Sequence, residues 1–219
     1  MAKKAEPSPQ HMIRVAIDLA AERGWNALSL GEVAAAAGVP MTELYRHFPS
    51  KAGLLAGFSR LVDEEMLAES VDEESSPRDR LFDLMMRRFD ALNAHRGGVK
   101  AVLRDLSCDP LGALAHQGQV ERSMRWTLEA AGLSTSGLFG MLKVRALGLI
   151  YLNVLRIWAR DESEDMSRTM AALDRSLRQA EQFANTFGRR PRRGGDEGRD
   201  DDRDKDGDTD PDLDGTDRA

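Results

Sequence analysis

A single cysteine, Cys108, stands in a chain of 219 residues, and the four histidines are scattered at positions 11, 47, 95 and 116. One cysteine forms no intramolecular disulfide, and the spacing offers neither CxxC nor HExxH, so a disulfide framework and a structural zinc are excluded. A reducing, cytoplasmic setting is expected. Aromatic residues are also scarce, at 5 % of the chain, whereas methionine reaches 10 residues and 41 % of the chain is hydrophobic. That balance suits helices packed around flexible aliphatic side chains better than a sandwich of β-branched strands, so the expected fold is all-α. No stretch reaches the ~18 uninterrupted apolar residues of a membrane span, and the opening MAKKAEP lacks an apolar signal core. Neither secretion nor a spanning helix is expected.

Catalytic motifs are lacking too: there is no glycine-rich phosphate loop and no GxSxG elbow. Cys108 precedes His116 by eight residues, a conceivable nucleophile and base, but an isolated thiol near a helix end is ordinarily inert. The chain is therefore not expected to be an enzyme, and no cofactor is implied.

Positive charge is in short supply overall, with a formal net charge of -6, but its distribution is uneven. Residues 1–60 carry 7 Lys/Arg against 5 Asp/Glu, residues 61–187 carry 16 against 20, and residues 188–219 carry 8 against 12. Only the first part leans basic. The last, from Gly188, has one large apolar residue, Leu213, and cannot bury enough surface to fold, so a disordered Arg/Asp-rich tail is expected over 188–219. Its Asp202, Asp204, Asp206, Gly207 and Asp208 match the first half of a calcium loop, but Leu213 stands where a bidentate Glu is needed.

Between these ends the periodicity is helical. Ile13, Ala16, Ile17 and Ala20 recur at helical spacing, with Gly24 placed to end the helix. Ser29 and Glu32 form a capping box ahead of an alanine run. Gly38-Val39-Pro40 then makes a turn into a short helix over 41–48, and Pro49-Ser50-Lys51 caps a fourth. Two short helices joined by a Gly-containing turn form a helix-turn-helix, whose second helix is sized for a major groove.

The stretch LGEVAAAAGVPMTELYRHFPSKAGLL, Leu30 to Leu55, resembles the DNA-binding segment of the TetR family of bacterial regulators. The resemblance implies that Thr42, Tyr45, Arg46 and His47 face DNA, that Lys51 meets a phosphate, and that Leu44 and Phe48 are core. It implies a DNA-binding domain over 9–69, with the motif at about 30–51, and a helical ligand-binding and dimerisation domain over 77–187. Glu43 departs from the family pattern: a carboxylate there accepts from cytosine N4 but is repelled by phosphates.

In the second half, Leu81, Leu84, Met85, Phe89 and Leu92 share one helical face, expected to end near Gly97-Gly98. Helices are also expected over about 118–131 and over 138–159, the latter as a buried central helix too short by itself for a membrane. Met166, Met170, Leu173 and Leu177 open a heptad seam, expected to pair with a second copy. Met85, Phe89, Trp126 and Tyr151 are candidate pocket residues, beside Met86, Met141 and Trp158. With no charged ring evident in the helical interior, the expected effector is small and apolar or amphipathic.

A further segment, Asp161 to Arg175, resembles the C-terminal region of the TetR-fold, lipid-binding accessory proteins of ubiquinone biosynthesis, which do not act on DNA. Retention of Tyr45, Arg46, His47 and Lys51 favours the regulator. The expected function is a ligand-responsive transcriptional regulator acting as a repressor, a homodimer on a palindromic double-stranded DNA operator.

Overall fold

The computed structural model describes residues 8–107 and 116–188, with side chains to residue 184. Among the described residues there are nine α-helices and no strand: α1 Pro9–Arg23, α2 Leu30–Ala37, α3 Met41–His47, α4 Lys51–Leu67, α5 Pro77–Asn93, α6 Arg96–Ser107, α7 Gln117–Ala130, α8 Gly137–Trp158 and α9 Ser167–Gly188. Cys108, the Asp109-Pro110 break and the Arg/Asp-rich tail beyond Gly188 lie outside them.

Local chemistry sets the first four elements. The Ser8 hydroxyl accepts from the His11 N–H at 3.2 Å and Pro9 opens α1, which buries Met12, Ile13, Ala16, Ile17 and Ala20 on one face. Both halves of the Ser29–Glu32 capping box form at the start of α2. Gly38 ends that helix in the left-handed region at φ 67°, where its N–H closes on the Ala34 and Ala35 carbonyls. Ser50 caps α4 by accepting from the Gly53 N–H at 3.1 Å.

α4 belongs to both halves. Its first turns pack against α1, and its later ones, carrying Val62 and Met66, pack against α5 and α7. One continuous core, from Met12 to Leu177, therefore runs through the molecule. α1 also lies directly on α6. A Cβ on Gly98 would stand 2.2 Å from the Ile17 carbonyl oxygen, so only glycine permits this approach. That corrects the expectation for Gly97-Gly98: α5 already ends at Asn93, and the two glycines sit in the first turn of α6, where they admit α1 instead of stopping a helix.

Two further expectations are corrected in the second half. α8 is not a buried central helix: Val144, Leu147, Val154, Leu155 and Trp158 face inward, but Leu138, Phe139, Met141, Leu142 and Leu149 are exposed. At 22 residues it is long and apolar enough to cross a membrane by length and composition, with only 33 % of its apolar window buried. The heptad residues of α9 are used inside the chain. Met166, Leu173 and Leu177 are buried where α9 packs on α8 and α5, and only Met170 of the four is exposed.

Candidate nucleic-acid interface and its link to the second domain

α3 is two-faced. Leu44 is fully buried and Phe48, just past the helix, is 3 % exposed, and these two anchor α3 on the core. Their neighbours Thr42, Tyr45, Arg46 and His47 are all exposed, Tyr45 at 68 %. The four residues assigned to DNA by resemblance thus share one uncovered surface. Exposure of a large aromatic on a rigid two-turn helix is unfavourable in water and useful against a partner.

Glu43 lies between them. Its Oε2 takes a charged hydrogen bond from Arg46 Nη1 at 2.5 Å, and its Oε1 lies 3.1 Å from His47 Nε2. Both oxygens are engaged within the helix, which leaves neither poised for a cytosine.

Lys51 is placed differently from the expectation of a free phosphate contact. Its ammonium donates to the Trp25 carbonyl at 2.5 Å and the Asn26 carbonyl at 3.2 Å, and sits 5.3 Å from the Trp25 ring centroid. Desolvation lowers its pKa, while the nearby Asp105 carboxylate works in the opposite direction. Asp105, on α6, accepts from the Asn26 N–H at 2.8 Å, and this bond, against the effect of burial, holds its carboxyl below the usual carboxylate range. The loop after α1 is therefore gripped from both sides, by α4 through Lys51 and by α6 through Asp105.

A charged group in the helical interior was not anticipated, yet Arg88 is 1 % exposed. Its Nη2 donates to Asp63 Oδ1 on α4 at 2.5 Å and reaches Thr127 Oγ1 on α7 at 3.3 Å; Ser123 on α7 donates to the same Asp63 oxygen. The guanidinium also faces the Tyr151 ring on α8, 5.7 Å from its centroid. Burial pushes the Tyr151 phenol up from its ordinary pKa, with Arg88 acting in the opposite sense. One signal of this cluster was present in the sequence: Leu81, Leu84, Arg88 and Leu92 follow helical spacing, and Arg88 occupies an inward position of that stripe.

The candidate pocket residues divide. Met85 and Phe89 are fully buried, and the Phe89 ring lies 5.9 Å from Tyr151 and 6.4 Å from Trp158. Trp126 is 57 % exposed on the outer side of α7 and does not join them, and Met141 is exposed as well. Two surface clefts, of about 580 and 300 Å³, are lined by other residues: the first by Arg80, Glu129 and neighbours, the second by Asn153, Arg156, Ile157, Arg160 and Arg168. Among the described residues, no group of three or more His, Cys, Asp or Glu is arranged to hold a metal ion.

The segment behind the second resemblance is a helix start. Asp161 accepts from the Thr169 N–H at 2.8 Å, from the Thr169 hydroxyl at 2.7 Å and from Ser163. Burial opposes its ionisation, but these hydrogen bonds prevail and hold its carboxyl well below the usual carboxylate range. Asp161 and Asp165, which accepts from the Ser167 N–H at 3.1 Å, are accounted for by capping at the start of α9.

A three-helix unit with an exposed recognition helix, joined through a shared fourth helix to a larger helical body, defines a helix-turn-helix regulator of the all-α kind. Residues 12–57 match the family model of bacterial regulatory proteins, tetR family. The chain is 24 % identical over 176 residues, covering 78 % of it and 89 % of the relative, to a protein of Mycobacterium tuberculosis described as the mycofactocin biosynthesis transcriptional regulator MftR. The HTH-type transcriptional repressor KstR2 of the same species is 31 % identical over 91 residues, 40 % of this chain and 46 % of the repressor. Among solved structures, the TetR transcriptional regulator of Nitrosomonas europaea superposes with a TM-score of 0.63 at 27 % identity, covering 81 % of this chain and 99 % of that one. Residues 12–57 thus carry a TetR-type DNA-binding domain, and the rest of the chain is similar in fold to TetR-family transcriptional regulators.

Proposed function

We propose that this protein is a ligand-responsive repressor that binds a palindromic operator as a homodimer through the exposed face of α3. The observation that carries this reading is the placement of Thr42, Tyr45, Arg46 and His47 on one uncovered surface while Leu44 and Phe48 fix the helix from behind. An operator with twofold symmetry needs two such helices, which a dimer supplies.

The dimer contact falls on α8. Leu138, Leu142, Leu149 and Leu152 are exposed at spacings of four, seven and three, a heptad register in which Arg145 takes the intervening place. Such a stripe of large apolar side chains on a soluble regulator favours a second copy as its cover. On α9, Met170 is exposed as well, while the remaining seam residues are buried within the subunit.

The effector region centres on Phe89, Tyr151 and the Arg88–Asp63 pair. A buried charge beside aromatic rings favours an amphipathic effector over a pure hydrocarbon, because the polar end of the ligand can then satisfy the buried guanidinium. Asp63 sits on α4, the helix that begins at the DNA-binding unit, so a ligand that disturbs the pair moves the recognition helices through that rod. The ligand weakens operator binding only if it prefers the altered arrangement.

Selection of fragmented genomic DNA from the source organism by the purified protein tests this reading. Recovery of a small set of inverted repeats, bound less tightly as salt rises, is the expected result. Failure to enrich any fragment at low salt contradicts it.

A further inference from the structure

We propose that Glu43 sets operator specificity by holding the Arg46 guanidinium along one edge, so that its other edge reads a guanine in the major groove. This inference rests on the DNA-binding function proposed above.

Arg46 is a long, exposed side chain, 71 % accessible, on the surface that would enter the groove. Left free, it would sample many rotamers and meet phosphates as readily as bases. Here its Nη1 is fixed at 2.5 Å by Glu43, itself only 21 % exposed and therefore a firmer post than the arginine it holds. Nη2 and Nε of Arg46 have no partner among the described residues. A guanidinium pinned through one nitrogen still offers planar donors along its remaining edge, and guanine O6 and N7 are the acceptor pair that such a fork fits. Adenine presents an amino donor in place of O6 and is rejected.

The same carboxylate also contacts His47 from its second oxygen, so one acidic residue organises two adjoining groups on the reading face. It cancels positive charge at the same time. In a domain whose first 60 residues carry only two more basic than acidic side chains, this costs sequence-independent attraction to phosphates while preserving the directional contact. Discrimination is gained and general affinity is lost.

Site selection from random-sequence duplexes with the full-length wild type, Glu43→Gln and Arg46→Ala tests the inference. The wild-type motif is expected to contain a fixed guanine in each half-site. Arg46→Ala should lose preference at that position alone. Glu43→Gln should keep the rest of the motif, relax the guanine preference about tenfold, and bind random duplex several-fold more tightly with a steeper salt dependence. Glu43→Asp, which keeps the charge but shortens the reach, should also relax that position without the gain in non-specific binding, and it serves if the glutamine variant fails to fold. A Glu43→Gln motif identical to wild type, or an Arg46→Ala motif unchanged at every position, overturns the role assigned to Glu43 while leaving DNA binding intact. A wild-type protein that selects no motif overturns the DNA-binding reading itself, and this inference with it.

Discussion

Arg88 on α5 and Asp63 on α4 form an ion pair at 2.5 Å, with the arginine 1 % exposed, in the part of the core where α4, α5, α7 and α8 meet. Desolvating two charges is costly, and their attraction offsets this only because Ser123 and Thr127 supply further hydrogen bonds. The pair is thus a fixed joint between the helix leaving the DNA-binding unit and the larger helical body. Removing one member strands the other: Arg88→Met should lower the unfolding free energy by about 3 kcal/mol. Adding Asp63→Leu to that variant should restore most of it. Urea denaturation of the single and double variants measures both, and a double variant no more stable than the single one would deny the pairing.

Gly98 against Ile17 is the tightest glycine contact between two helices. A methyl group there overlaps a backbone carbonyl, which cannot swing aside as a side-chain tip can, so α6 must withdraw from α1. Gly98→Ala is expected to destabilise the protein by about 1–3 kcal/mol, visible as a lowered midpoint in thermal unfolding. Ala in place of Gly would otherwise favour a helix, so an unchanged or raised midpoint would show that the two helices are not held at this distance.

Lys51 separates a structural role from a phosphate contact. With its ammonium bonded to the Trp25 and Asn26 carbonyls, Lys51→Ala should cost about 1 kcal/mol of stability and loosen the loop after α1. The slope of log affinity against log salt should fall by clearly less than the ~0.9 that one full phosphate contact contributes. Thermal unfolding and a salt series on one duplex give the two numbers. A full-sized drop in slope with unchanged stability would return Lys51 to the DNA surface.

The helix-turn-helix was legible because its signals are local. A capping box at Ser29 and Glu32, a left-handed Gly38 and a capped α4 act over three or four residues, and every one is realised. Long-range facts were not legible in that way. The heptad residues of α9 announced a wish for a partner, but periodicity does not say whose helix supplies it, and α8 and α5 of the same chain do. Gly97-Gly98 resembled a helix stop because the approach of α1, some eighty residues earlier in sequence, leaves no local mark. Arg88 and Asp63 leave no local mark for the same reason: each is an anomaly in its own stripe, and only their juxtaposition explains both. Within α3, composition showed which residues were present, whereas the capture of Arg46 and His47 by Glu43 required side-chain geometry.

The exposed stripe on α8 makes the dimer testable by one substitution. Leu149 is 70 % exposed in the single chain, so Leu149→Glu should leave the fold of the subunit intact. It should nonetheless convert the protein to a monomer in sedimentation velocity and weaken its grip on a palindromic site. An unchanged mass would move the contact to another face.

The central claim is that α3 reads DNA with its exposed face, and Tyr45 tests it most directly, since it is 68 % exposed and lies outside the buried core. The measurement is a fluorescence-anisotropy titration of a recovered operator duplex with wild type and Tyr45→Ala at one moderate salt concentration, beside a thermal melt of each. The account predicts equal melting and an affinity reduced about tenfold or more, the loss of roughly one hot-spot contact. Equal affinity with equal melting would contradict it.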